Sequence, residues 1–79
     1  MDQIIPLSQL GIGERGKIAG LFHTGAMRIR LCELGFVPGA AVDCLMRSFS
    51  GDPCAYRICG AVIALRRQDA EKIAVSRKG

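Results

Sequence analysis

Four cysteines, Cys32, Cys44, Cys54 and Cys59, and one histidine, His23, are the side chains here best suited to bind a metal or act as nucleophile and base. Structural zinc sites usually draw two thiolates from one close Cys-x-x-Cys pair, because both must sit on a single turn. No such pair occurs. Cys54 and Cys59 stand five positions apart, which in a regular strand points them to opposite faces. The spacing predicts small, reduced, mostly buried thiols in a reducing compartment, with no cofactor. His23, beside Thr24 and Gly25, has no orienting partner that the sequence identifies, and reads as a solvated loop histidine. The seven carboxylates are scattered singly, so no general acid–base pair stands out. Gly11-Ile12-Gly13-Glu14-Arg15-Gly16 matches the letters G-x-G-x-x-G. It precedes a predicted strand instead of joining a strand to a helix, which is the wrong setting for a nucleotide. The chemistry points away from an enzyme. A metal-binding or metal-sensing alternative would have to use Cys54, Cys59, His23 or Asp52.

Charge gives a second constraint. Eleven Lys and Arg against seven Asp and Glu favour acidic partners, and Arg dominates, which suits bidentate contacts to carboxylates and phosphates. The cations are spread over the whole chain. Single-stranded nucleic acid also needs stacking aromatics, and only Tyr56 and Phe49 could serve. Nucleic acid is therefore not the expected partner, and a nucleic-acid-binding module remains only an alternative. The exposed-apolar candidates carry more information: Phe36 and Val37 after a helix end, Leu45 on the polar side of a strand, and Phe49 in a loop.

The elements that position these residues are short. With 79 residues, 49% of them hydrophobic, the chain has room for one small globular domain. Glycine and proline recur at close intervals, as in small all-β folds. Leu7 and Leu10 suggest one helical turn plugging an open end. Residues 16–22 read as a first strand, with Gly20 marking a bend or bulge. From Ala26 to Leu34 the period changes: Met27, Leu31 and Leu34 form one helical face, Arg30 and Glu33 can pair outside it, and Gly35 and Pro38 end it. Val42, Cys44 and Met46 alternate inward, and Ser48–Pro53 is turn chemistry. Strands follow at residues 55–58, 62–67 and 73–75, with a reversal at Gly60 and Ala61 and a helical turn at residues 68–71. The expected fold is mainly β: a small SH3-like five-stranded barrel with one short α-helix after the first strand. A single domain over residues 1–76 and a frayed basic tail over 77–79 complete the expectation.

The longest apolar runs are eight residues, against about 20 for a membrane-spanning helix. The N-terminus lacks a cationic start and a sustained apolar stretch, so no signal peptide is expected and a cytoplasmic location is.

Four stretches, taken together, resemble the ferrous iron transport protein A (FeoA) family. They are Leu7-Ser8-Gln9-Leu10 leading to Gly16-Lys17-Ile18; Arg30-Leu31-Cys32-Glu33-Leu34-Gly35-Phe36-Val37-Pro38-Gly39; Gly51-Asp52-Pro53; and Gly60 to Arg66, closing with Ala70, Ile73 and Val75. The resemblance implies an SH3-like barrel and a small cytoplasmic, non-enzymatic accessory protein of bacterial ferrous iron uptake. Its implied partner is the membrane ferrous iron transporter of the same system (FeoB), contacted through that transporter's cytosolic GTP-binding domain. Such a protein would be recruited to the inner face of the membrane by its partner without inserting into it, and a homodimer stays open. SH3-like barrels bind partners in shallow grooves, using apolar residues rimmed by charge. The expected partner-binding set is Arg28 and Arg30 for charge, with Phe36, Leu45 and Phe49 as apolar anchors.

Overall fold

A computed structural model describes residues 2–78. The chain runs β1 (Asp2–Pro6), a 3₁₀ turn (Leu7–Gln9), β2 (Arg15–Leu21), α1 (Gly25–Leu34), β3 (Ala41–Arg47), β4 (Cys54–Ile58), β5 (Ala61–Leu65), α2 (Arg67–Ala70) and β6 (Ile73–Lys78). All six strands join one antiparallel sheet in the order β1-β6-β2-β3-β4-β5. The mainly β architecture with one substantial helix after the first long strand is as expected. The sixth strand is β1, which carries no alternation: Ile4 and Ile5 are adjacent, and Pro6 cannot donate. It forms because β6 offers a partner, with Asp2 opposite Lys78 and Gln3 opposite Arg77. The same pairing overturns the frayed tail, since Arg77 and Lys78 are ladder residues; Gly79 lies outside the described residues.

Two bulges curl the sheet. In β2 the register shifts between Ile18 and Gly20, where the sequence anticipated a bend. In β3 it shifts between Cys44 and Met46, leaving Leu45 as the extra residue. A bulge reverses the inside–outside alternation beyond it. Val42 and Cys44 are buried as expected, but Met46 is exposed and Leu45 is half-buried.

The core is aliphatic apart from Phe36, Tyr56 and the thiols of Cys44 and Cys54. Leu7 and Leu10 plug one end, and Arg47 Nη2 secures the plug by donating to the Leu10 carbonyl at 2.9 Å. Tyr56 Oη reaches the Leu7 carbonyl at 3.5 Å, a long contact that spans from β4 to the plug. Gly16 is buried where β2 crosses closest to β6. A Cβ there would stand 2.9 Å from the Ser76 carbonyl oxygen.

Helix α1 ends at Gly35, whose φ of 111° is left-handed. Gly35 N–H donates to the Cys32 carbonyl at 3.1 Å, and Phe36 N–H to the Leu31 carbonyl at 3.0 Å. This pair of bonds is the Schellman arrangement, which brings together the apolar residues three before and two after the last helical residue, Leu34. Leu31 and Phe36 are accordingly both buried in the core. The Arg30–Glu33 ion pair is not formed among the described residues.

A Cβ on Gly35 would stand 2.6 Å from Cys59 Sγ and 3.1 Å from Cys59 Cβ, on a backbone conformation that side chains resist. Gly35→Ala should cost about 2–4 kcal/mol, the sum of strained backbone and overpacking. Urea unfolding of the two proteins measures it. Tyr56 supplies a second test, as the single tyrosine in a chain without tryptophan. Burial, and then the neighbouring Cys54 and Cys44, pushes its phenol well above the ordinary value. The folded state thus holds this proton more tightly than the unfolded chain does. Its stabilisation is complete below the unfolded phenol's pKa of about 10 and is lost as pH rises further. Phenolate absorbance should appear together with loss of the far-ultraviolet dichroism; phenolate formed in a fully folded protein would contradict the burial.

Candidate partner-binding surface

The five residues expected to bind a partner do not share one surface. Phe36 is 0% exposed and belongs to the core, because the Schellman turn directs it inward. It cannot anchor a partner. Arg28 and Arg30 are exposed on α1. Arg28 Nη1 also donates to the Leu21 carbonyl at 2.7 Å, which ties the first turns of α1 to the end of β2. Phe49 is fully exposed in the loop after β3, and Leu45 lies half-buried at the β3 bulge. Helix α1 leads into the start of β3, whereas Phe49 follows its end.

Two further apolar side chains lie near Arg28 and were not singled out by the sequence. Phe22 is 74% exposed and Ile29 is 62% exposed. Both could have been found from periodicity. Ile29 falls between Met27 and Leu31 and so off the inward helical stripe, and Phe22 follows the inward-facing Leu21. Phe22 N–H donates to the Lys72 carbonyl at 2.8 Å, so its backbone is fixed while its ring projects outward.

His23 departs from expectation. It is 6% exposed, not solvated, and both ring nitrogens lack a hydrogen-bond partner among the described residues. Its nearest charged group is Asp69 on α2, with Nε2 and Oδ1 3.6 Å apart. The Phe22–Lys72 bond explains the burial by holding this segment against the turn that follows α2. All four cysteines are free; Cys44 and Cys54 are buried as the spacing predicts, whereas Cys32 is half-buried and Cys59 is exposed. Burial pushes the Cys44 thiol up, away from the thiolate that would ligate a metal. Among the described residues, no three His, Cys, Asp or Glu side chains stand close enough to share an ion. No helix is long and apolar enough to cross a membrane.

Some of the surface charge is internally matched. Arg15 donates to both oxygens of Asp43 at 2.8 and 3.2 Å. This bond holds the Asp43 carboxyl below its usual range and raises Arg15. Arg77 meets Glu14 at 2.9 Å. Arg28 and Arg30 have no carboxylate partner among the described residues, so the cationic face of α1 is available to a partner.

Comparison with known proteins places this geometry. The family model described as the FeoA domain matches residues 5–77. This chain belongs to the FeoA family. A curated relative, the Fe(2+) transport protein A/Fe(2+) transporter FeoB fusion protein of Porphyromonas gingivalis strain W83, is 38% identical over 69 residues. The match covers 87% of this chain but only 8% of that protein. The FeoA protein of Chlorobium tepidum superposes with a TM-score of 0.88 at 33% identity, covering 95% of this chain and 71% of that one. FeoA of Stenotrophomonas maltophilia, described as a prokaryotic SH3 domain protein and solved with zinc, superposes with a TM-score of 0.77 at 29% identity, covering 87% and 86%. The SH3-like FeoA fold expected from the sequence is thus established.

Phe36 and Phe49 separate core from surface. Phe36→Ala should destabilise the FeoA fold by about 3–5 kcal/mol through the cavity it leaves. Phe49→Ser should stay within about 0.5 kcal/mol, as surface changes do. Parallel urea titrations decide both.

Proposed function

We propose that this protein is a small cytoplasmic accessory and regulatory factor of ferrous iron uptake, acting by binding the cytosolic GTP-binding part of a FeoB-type membrane transporter. The observation that carries this reading is the Porphyromonas gingivalis relative, in which a homologous segment and FeoB share one chain. A covalent link holds two modules at an effective concentration in the millimolar range, and is useful where they work in contact.

The surface proposed for that contact is the outer face of α1, where Arg28 and Arg30 flank Ile29, with Phe22 beside it. Unpaired guanidinium groups around exposed apolar side chains suit a partner that is itself partly acidic. Phe49, in the loop after β3, is a second contact. Its full exposure is hard to explain by packing, since no core is gained from it.

Calorimetric titration into the isolated GTP-binding domain of the transporter, with GDP and with a non-hydrolysable GTP analogue, tests the proposal. Saturable binding that depends on the nucleotide is the expected result. The Phe22→Ser/Ile29→Ser variant should weaken it tenfold or more, and Phe49→Ser by less, with the fold of each verified by circular dichroism. Absence of binding in both nucleotide states would overturn the assignment of this domain as the partner.

A further inference from the structure

The sheet has two edges, β1 and β5, and they are not alike. Edge strands are normally blunted by charge, proline or a covering element, because their free N–H and C=O groups invite another strand. β1 is blunted by Asp2 and Pro6. β5 reads Ala-Val-Ile-Ala-Leu, with no charge and no proline. The Cys59–Gly60 reversal has positive φ at both residues, 49° and 79°, and pairs Ile58 with Ala61 directly across it. In such a two-residue hairpin the flanking pair is hydrogen-bonded and the next pair is not, alternating along the ladder. The N–H and C=O groups of Val62 and Ala64 therefore point away from β4, off the edge of the sheet. Among the described residues, no backbone group outside the strand ladders bonds to either.

Beside this edge lies a groove of about 200 Å³ between β5 and α1. Met27 and Leu34 form its helical wall and Ile63 its strand wall, with Arg30, Arg66 and Asp69 at the rim. Neither arginine has a carboxylate partner among the described residues, and Asp69 stands over His23. The site thus combines a row of unused main-chain groups, one apolar hollow suited to a single large side chain, and a positive rim.

We propose that β5 accepts an extended peptide segment as an added strand, placing an apolar side chain in the hollow beside α1 and a carboxylate against Arg30 and Arg66. Main-chain pairing supplies affinity in this mode, and alternate side chains supply specificity. The charge selects the occupant. A second copy of this chain would bring two cationic rims together across the new strand pair, where like charges repel, whereas an acidic segment neutralises them. The proposal goes beyond the transporter reading and does not depend on which protein supplies the segment.

The probe is a set of fluorescent peptides alternating leucine or valine with glutamate, and a matched set with lysine, titrated against the full chain by anisotropy. The acidic set should bind saturably, and hydrogen exchange at the amides of Val62 and Ala64 should slow when it does. Ala64→Pro should abolish binding while the protein still folds, because proline at an outward-facing edge position removes no bond to β4. Arg30→Glu with Arg66→Glu should reverse the preference toward the lysine set by tenfold or more. No saturable binding by any acidic peptide, or binding indifferent to Ala64→Pro, would overturn the proposal. Self-association of the wild type that Ala64→Pro abolishes, without peptide binding, would overturn it in favour of a second copy. None of these readouts involves the transporter, so its failure to bind leaves this test standing.

Discussion

The close approach of Gly35 to Cys59 in the β4–β5 turn is where the end of the helix meets the sheet. Gly35 has no side chain, and Cys59 Sγ fills the space that one would take. That approach fixes the C-terminus of α1 against the β4–β5 hairpin, and the Schellman bonds made there send Phe36 into the core. A 79-residue chain with few aromatics has little apolar area to spare, so losing Phe36 from the interior would remove one of its two large core rings. Position and stability are therefore set by the same residue. The angle at which α1 leaves this junction also defines the groove beside β5.

Closure at the other end follows a different logic. The Leu7–Leu10 plug has no extensive hydrogen-bonded element of its own. It is held by side-chain donors from distant strands, Arg47 to the Leu10 carbonyl and Tyr56 to the Leu7 carbonyl. Buried backbone carbonyls need partners, and here the sheet provides them. Bulges at Ala19 and Leu45 supply the curvature that lets six short strands wrap around one core, and the second of them turns Met46 outward. The result is a small barrel whose binding capacity lies on its surfaces and its one unblunted edge, consistent with a member of the FeoA family.

The surface divides by charge management. Two arginines on the sheet are matched, Arg15 by Asp43 and Arg77 by Glu14. Exposed pairs of this kind contribute little to stability, but they do hold side chains in place and remove them from competition for partners. Arg28 and Arg30 on α1, and Arg66 beyond β5, are left without carboxylates among the described residues. Phe22 and Ile29, near Arg28, and Val62 on β5 are exposed apolar side chains. Unmatched cations next to unburied apolar groups are what an acidic, partly apolar partner would recognise.

Much of this was determined by local sequence. The Met27, Leu31 and Leu34 stripe with Gly35 behind it requires a helix of this length and end, because periodicity and a left-handed stop are properties of neighbouring residues. The strands at Ala41–Arg47 and residues 55–58 and the reversal at Gly60 were equally legible, as was the family pattern running through them. Only the tertiary structure decided the rest. β1 exists because β6 is there to pair with it. Met46 is exposed because a bulge flips a period that the sequence alone reads as regular. Phe36 is buried because the core lies where the Schellman turn directs it, and His23 because the Phe22–Lys72 bond holds its segment against the turn after α2. Local pattern specifies which way a chain can turn; whether a side chain then meets solvent depends on what the fold brings to cover it.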